Sequence, residues 1–138
     1  ARLALEHQVQ SATDVTGFGL AGHGSEMALA SGVDLVISAG ALPLLPGVAD
    51  LAKAGFCSGG SVRNRQHLGE KLAVEDGIED SLVSLCLDSE TSGGLLLSVS
   101  ASEVEALRDS LKAANVSEYA VIGEVVAASP TPTVHIRS

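Results

Sequence analysis

Aromatic side chains are almost absent from this chain of 138 residues: Phe18, Phe56 and Tyr119 are the full complement, and there is no tryptophan. The core must therefore be aliphatic, built from Val, Leu, Ile and Ala. Basic residues are also scarce, with 8 Lys and Arg against 17 Asp and Glu, a formal charge of −9. Such a surface repels a phosphate backbone, which argues against nucleic acid as a primary partner. A phosphate ligand would need local help from amides, a cation or a few placed basic groups. The two cysteines, Cys57 and Cys86, show no CxxC spacing. That argues against a zinc site and a disulfide scaffold, and predicts structural thiols in a reducing, cytoplasmic setting. No apolar run approaches the roughly 20 residues that span a bilayer, and the amino terminus has no signal-peptide pattern. The chain opens on Ala1-Arg2-Leu3 without an initiator methionine, as expected of a piece of something longer.

What the chain does have is aliphatic bulk and glycine. A hydrophobic content of 46% over this length predicts one domain with a substantial core, burying roughly two-thirds of the surface of the unfolded chain. The most informative stretch is Ser11-Ala12-Thr13-Asp14-Val15-Thr16-Gly17-Phe18-Gly19-Leu20-Ala21-Gly22-His23-Gly24, where a carboxylate stands directly before four glycines. Glycine lets backbone amides approach phosphate, and a carboxylate beside them can hold a hard cation. The run contains a literal GxGxxG at Gly17 to Gly22, yet a dinucleotide fold fits it badly. That fingerprint closes an apolar strand and is followed about 20 residues on by an acid ending a second strand. Here Gln8 to Thr13 are mostly polar, and Asp34 opens an apolar run.

Along the chain, apolar spacing predicts a helix over 16–30, with Leu20, His23, Met27 and Ala30 on it and Ser31-Gly32 as its stop. Its glycines each cost on the order of 1 kcal/mol against alanine, so the helix needs close backbone contact, either with a sheet or with a ligand at its amino end. His23 suits a packed side chain better than a ligand. Val33 to Ser38 reads as a strand, and Val48 to Ala54 as a short helix ended by Gly55. Ser58-Gly59-Gly60-Ser61-Val62-Arg63-Asn64-Arg65 is either a solvated loop leading into a helix capped by Ser61 or a loop facing an anion, with Arg63 and Arg65 to neutralise it. Glu70 to Asp80 reads as exposed connection or helix surface. Ser81 to Leu87 is a buried short helix or strand, and the polar turn Asp88 to Gly94 opens a buried strand. Ser102 and Glu105 form a capping-box pattern before a helix carrying Val104, Leu107, Leu111 and Ala114 on one face. Tyr119 to Ala127 is a further strand with a bulge or close approach at Gly123, and Val134 to Ile136 a final edge strand. The expected fold is α+β, a mixed sheet with helices packed on it in layers, without internal repeat or domain boundary.

Five blocks, in order over nearly the whole chain, resemble the carboxy-terminal half of the selenophosphate synthetase family. They are Ala12-Thr13-Asp14-Val15-Thr16-Gly17-Phe18-Gly19-Leu20, Leu42-Pro43-Leu44-Leu45-Pro46-Gly47, Gly59-Gly60-Ser61-Val62-Arg63-Asn64, Thr91-Ser92-Gly93-Gly94-Leu95-Leu96 and Val121-Ile122-Gly123-Glu124-Val125-Val126. The resemblance implies a fold like the carboxy-terminal domain of aminoimidazole ribonucleotide synthetase, with residues 1–138 as one domain of a longer two-domain enzyme. It also implies the intact enzyme's reaction, selenide, ATP and water giving selenophosphate, AMP and phosphate, with Mg2+ and ATP bound. In that family the aspartate of the first block is a magnesium ligand, a role that falls on Asp14. On residue chemistry alone Asp14 would suit a helix N-cap. The family's reactive cysteine or selenocysteine, its lysine and its other metal-binding aspartates lie upstream of this sequence, so no catalytic residue is assigned in this chain, and alone it is expected to be inactive. The partners implied are the chain's own amino-terminal domain and a second copy in a homodimer. The common family form has proline and glutamine where Ser89 and Glu90 stand. The alternatives are a related ATP-dependent enzyme of the purine-pathway synthetase, hydrogenase maturation factor or thiamine monophosphate kinase type, and a noncatalytic binding domain.

Overall fold

A computed structural model describes residues 2–138. A short helix α1 (Arg2–Glu6) leads into strand β1 (Ser11–Asp14), helix α2 (Gly19–Ser31) and strand β2 (Val33–Ser38). Helices α3 (Val48–Lys53) and α4 (Gly59–Leu68) follow, then β3 (Leu72–Val74), α5 (Asp80–Leu87), β4 (Leu95–Ser98), α6 (Val104–Ala113), β5 (Gly123–Ala128) and β6 (Val134–Arg137). The strands form two sheets: a two-stranded antiparallel ribbon of β1 and β4, and a four-stranded sheet in the order β3-β6-β2-β5. In the larger sheet β2 runs parallel to β6 and antiparallel to β5, and β3 runs parallel to β6. The mixed sheet with packed helices is therefore present, with a ribbon beside it.

One aliphatic core joins α2, α4 and α5 to the sheet. Ala21, Val83, Cys86, Leu87, Val134 and Ile136 are at most 1 % exposed and belong to one cluster with Ile37 and Leu68. Full burial of each Leu, Ile or Val contributes on the order of 2 kcal/mol. The choice left open for 81–87 falls to helix, because Val83, Cys86 and Leu87 at i, i+3 and i+4 share its buried face. The glycines of α2 serve packing: the Cβ position of Gly24 lies 3.4 Å from Leu35 Cδ1, and that of Gly19 lies 2.7 Å from the backbone of Leu87 and Asp88.

Several boundaries differ from expectation. β6 is an interior strand, covered on its far side by β3, whose three residues are hidden in sequence between Lys71 and Glu75. The chain enters α6 through a 3-10 turn at Ala101–Glu103, which places Ser102 inside the turn and leaves the helix without a side-chain cap, so no capping box forms. The last long strand starts at Gly123, not at Tyr119, and Gly123 is a point of close approach: its Cβ position lies 1.9 Å from the carbonyl oxygen of Val36. The register shift of that pair lies at Val33/Asp34.

Candidate functional site

Asp14 is the last residue of β1, opposite Leu95 at the start of β4. Inside and outside positions alternate along β1, and the ribbon turns Ala12 and Asp14 outward while Val15, the next residue, is buried. Leu95, directly across the ribbon, is 68% exposed on the same side. No hydrogen bond or ion pair reaches the Asp14 carboxylate among the described residues; the hydroxyl of Thr13 donates only to its main-chain oxygen. Asp14 does not cap α2. The residue before that helix is Phe18, in helical conformation and without a side-chain cap, and the turn is made by Gly19 at φ +68°.

The loop after Asp14 is held by the Asp88–Gly94 loop. Val15 N–H donates to the Gly94 carbonyl at 2.9 Å, and Glu90 N–H to the Thr16 carbonyl at 3.0 Å. The Gly17 carbonyl accepts from Ser89 Oγ at 2.7 Å and from Asn64 Nδ2 at 3.0 Å, and Asn64 donates a second bond to the Leu87 carbonyl at 2.8 Å. Three of the segments singled out in the sequence, around Asp14, Gly59-Gly60 and Gly93-Gly94, thus converge in one assembly. Sequence reasoning did not identify Asn64, Asp88 and Ser89 as the residues that tie it. The available signal was a polar pair placed directly after a buried helix.

The amino end of α4 faces an anion, and that anion is internal. Asp88 Oδ1 accepts from Ser58 N–H at 3.1 Å and from the Ser58 hydroxyl, with Ser61 Oγ at 3.5 Å. A negative charge there complements the helix dipole by roughly 0.3–1 kcal/mol. The cap itself is Ser58, whose hydroxyl accepts from Gly60 N–H, and Ser61 lies inside the helix. Arg65 is paired with Asp80 at 2.7 Å and Arg63 is exposed.

Ser89 stands where the resemblance implies proline. Asp88 keeps φ −69° and ψ 141°, the conformation a residue before proline adopts. Ser89 N–H, absent in proline, donates to Asp88 Oδ1 at 3.1 Å. Gly60 lies against this turn, its Cβ position 1.9 Å from Ser89 Oγ and 2.9 Å from Ser58 Oγ. Gly60→Ala should therefore cost about 2 kcal/mol, because Ser89 must give up its bond to Gly17 to make room. In a double-mutant cycle read by urea unfolding, Ser89→Gly should recover more than about 1 kcal/mol of that loss. Strict additivity would contradict the contact.

His23 is packed, 8% exposed, with Nε2 3.0 Å from Thr16 Oγ1 and Nδ1 3.4 Å from Glu26. Phe18 lies over it at 5.6 Å between ring centroids and stacks on His67 at 6.1 Å, closing one end of a shallow groove between α2 and α4. Cys57 is half-buried and Cys86 buried, and neither is disulfide-bonded. Burial pushes the Cys86 thiol up to about 11, which keeps it protonated and unreactive near neutral pH.

As a place for Mg2+, the Asp14 face offers an exposed carboxylate as a hard oxygen donor. Among the described residues no three His, Cys, Asp or Glu side chains cluster to hold a metal ion. Magnesium suits one or two carboxylates completed by phosphate oxygens and water, and the backbone beside Asp14 is open. A Cβ at Gly17 or Gly94 would meet nothing within 4 Å. The residues present fit one wall of such a site.

Comparison with known proteins places the chain in a family. The family model described as AIR synthase related protein, C-terminal domain, matches residues 1–135. A protein of Nitratidesulfovibrio vulgaris (strain Miyazaki F) named selenide, water dikinase is 43% identical over 129 residues, 94% of this chain and 37% of its own length. Proteins of the same name from Pseudomonas straminea and Geobacter metallireducens are 39% identical over 122 residues and 46% identical over 100. These alignments take in 88% of this chain and 34% of the first relative, and 72% and 29% for the second. The chain thus spans about a third of the length of the curated relatives it matches.

Proposed function

Since the chain belongs to the AIR synthase related family as its carboxy-terminal domain, we propose that it is that domain of an ATP-dependent selenophosphate synthetase, its Asp14 face forming one wall of a Mg2+–ATP cleft. The proposed reaction of the intact enzyme is selenide, ATP and water to selenophosphate, AMP and phosphate. The single observation that carries the reading is the exposed, unpartnered Asp14 carboxylate beside glycine backbone. Its relatives' name, selenide, water dikinase, supports the reaction class.

In this reading Asp14 supplies one anionic oxygen to the metal. Gly17 and Gly94 keep the adjacent backbone clear for a polyphosphate, and the bonds from Val15, Asn64, Ser89 and Glu90 hold that backbone still. Magnesium, when bound, neutralises polyphosphate charge. The nucleophile and the other metal ligands belong to an amino-terminal domain, and the chain alone is inactive. Leu5, Leu45, Phe56 and Leu95 are each more than two-thirds exposed, apolar surface suited to cover by that domain. A homodimer working in the cytoplasm completes the proposal.

The test is selenide-dependent AMP formation by the full-length protein. Asp14→Asn should lower turnover by about 100-fold or more, because a bound metal stabilises several kcal/mol of developing charge and each 1.4 kcal/mol is about tenfold. AMP formation indifferent to selenide would contradict the substrate, and unchanged turnover in Asp14→Asn would contradict the site.

A further inference from the structure

Asp88 receives more hydrogen bonds than a turn residue needs. One oxygen, Oδ1, takes the Ser58 and Ser89 amides at 3.1 Å each, the Ser58 hydroxyl, and Ser61 Oγ at 3.5 Å. The donors come from two segments far apart in sequence, so a single carboxylate pins the amino end of α4 to the 88–94 loop. From there the chain of contacts leads to Asp14. Ser89 Oγ, adjacent to Asp88, donates to the Gly17 carbonyl at 2.7 Å, and Glu90 N–H donates to Thr16 at 3.0 Å. Gly93 lies against Val15, its Cβ position 2.2 Å from the Val15 carbonyl oxygen. The backbone immediately after Asp14 is therefore set by a loop that Asp88 anchors.

We infer that Asp88 is a positioning residue for Asp14: it serves as the fixed internal anion of α4 and, through Ser89 and Gly93, sets the direction of the Asp14 carboxylate. The inference rests on the reading of Asp14 as a magnesium ligand. One consequence is that the amino end of α4 is not a phosphate cradle, since Asp88 already fills it.

The experiment uses the full-length protein with Asp88→Ala, Asp88→Asn, Ser89→Ala and, separately, Asp14→Asn. Two quantities are read: the Mg2+ concentration giving half-maximal turnover, and hydrogen exchange of the Val15 and Glu90 amides. In Asp88→Ala both amides should exchange at least about tenfold faster and half-saturation should rise about tenfold, the usual range for loss of a residue supporting a ligand. Turnover at saturating Mg2+ should change by less than about threefold, as expected when metal affinity alone is weakened. Asp88→Asn, which keeps an acceptor oxygen, should restore most of the exchange protection. Ser89→Ala, which leaves the α4 cap in place, should move both readouts in the same direction by less, so the inference stays testable if Asp88→Ala does not fold. Faster exchange with unchanged Mg2+ half-saturation in both Asp88→Ala and Ser89→Ala would reduce Asp88 to a structural cap and overturn the inference. Unchanged Mg2+ dependence in Asp14→Asn would instead overturn the ligand reading, and this inference with it.

Discussion

Gly93→Ala should break the seam between the Asp14 loop and the 88–94 loop, lowering stability by about 3 kcal/mol and the melting temperature by roughly 10 °C. The new Cβ would lie 2.2 Å from the Val15 carbonyl oxygen and 3.1 Å from its carbon, backbone atoms of a buried residue that no rotamer change can move. Relief requires the loops to separate, which strips the Val15 to Gly94 and Glu90 to Thr16 bonds. Because both flank Asp14, Mg2+-dependent turnover of the intact protein should fall further than the loss of stability accounts for. The control is the next residue. Gly94 has open space at its Cβ position and lies outside the glycines with positive φ, so Gly94→Ala should stay within about 0.5 kcal/mol of the parent. Equal effects at 93 and 94, measured by thermal unfolding, would contradict the packing.

Gly123→Ala should be more damaging to the fold and less specific to the site. Its Cβ position is 1.9 Å from the Val36 carbonyl oxygen and 3.2 Å from the Ile37 Cα, where β5 begins its antiparallel ladder with β2. Accommodation means moving β5 off β2 and exposing Val36, which is 7% exposed. A loss of about 4 kcal/mol or more is expected, a large part of the 5–15 kcal/mol typical of a domain. Urea denaturation should show it as a sharp drop in midpoint, or the chain should fail to accumulate folded. Gly40→Ala, at an unobstructed glycine without positive φ, should be neutral or slightly stabilising, by about 0.5 kcal/mol. A Gly123→Ala protein as stable as the parent would contradict the β2–β5 register.

These two glycines also show what was legible in the sequence. Gly123 stood out as a bulge or close approach because it interrupts an apolar strand, and β2 was read with its observed bounds because Val33, Leu35 and Ile37 alternate directly after a helix-ending Gly32. β1 was missed. A four-residue strand with one face in solvent carries polar residues and looks like a loop. β3 was missed because three apolar residues between charges give no period, and its absence made β6 look like an edge, although Val134 and Ile136 are fully buried. The dinucleotide reading fails for a reason the structure makes plain: β1 pairs antiparallel with β4, and Asp34 accepts the Thr133 amide at 2.8 Å, tying β2 to the start of β6. Within the candidate site, Asp14 was singled out by the family pattern, whereas residue chemistry alone suited a helix cap that Phe18, not Asp14, occupies. Asn64, Asp88 and Ser89 were not legible, because each acts on a carbonyl or amide 20 or more residues away, which spacing does not encode.

Whether Asp14 borders the metal–nucleotide cleft is tested most directly by paramagnetic relaxation. With Mn2+ in place of Mg2+ and a non-hydrolysable ATP analogue bound to the full-length protein, the amides of Asp14, Val15 and Gly94 should broaden first and lose that broadening in Asp14→Asn. Sharp signals at Asp14 and Gly94, with broadening centred on Gly59 to Asn64 instead, would contradict that location.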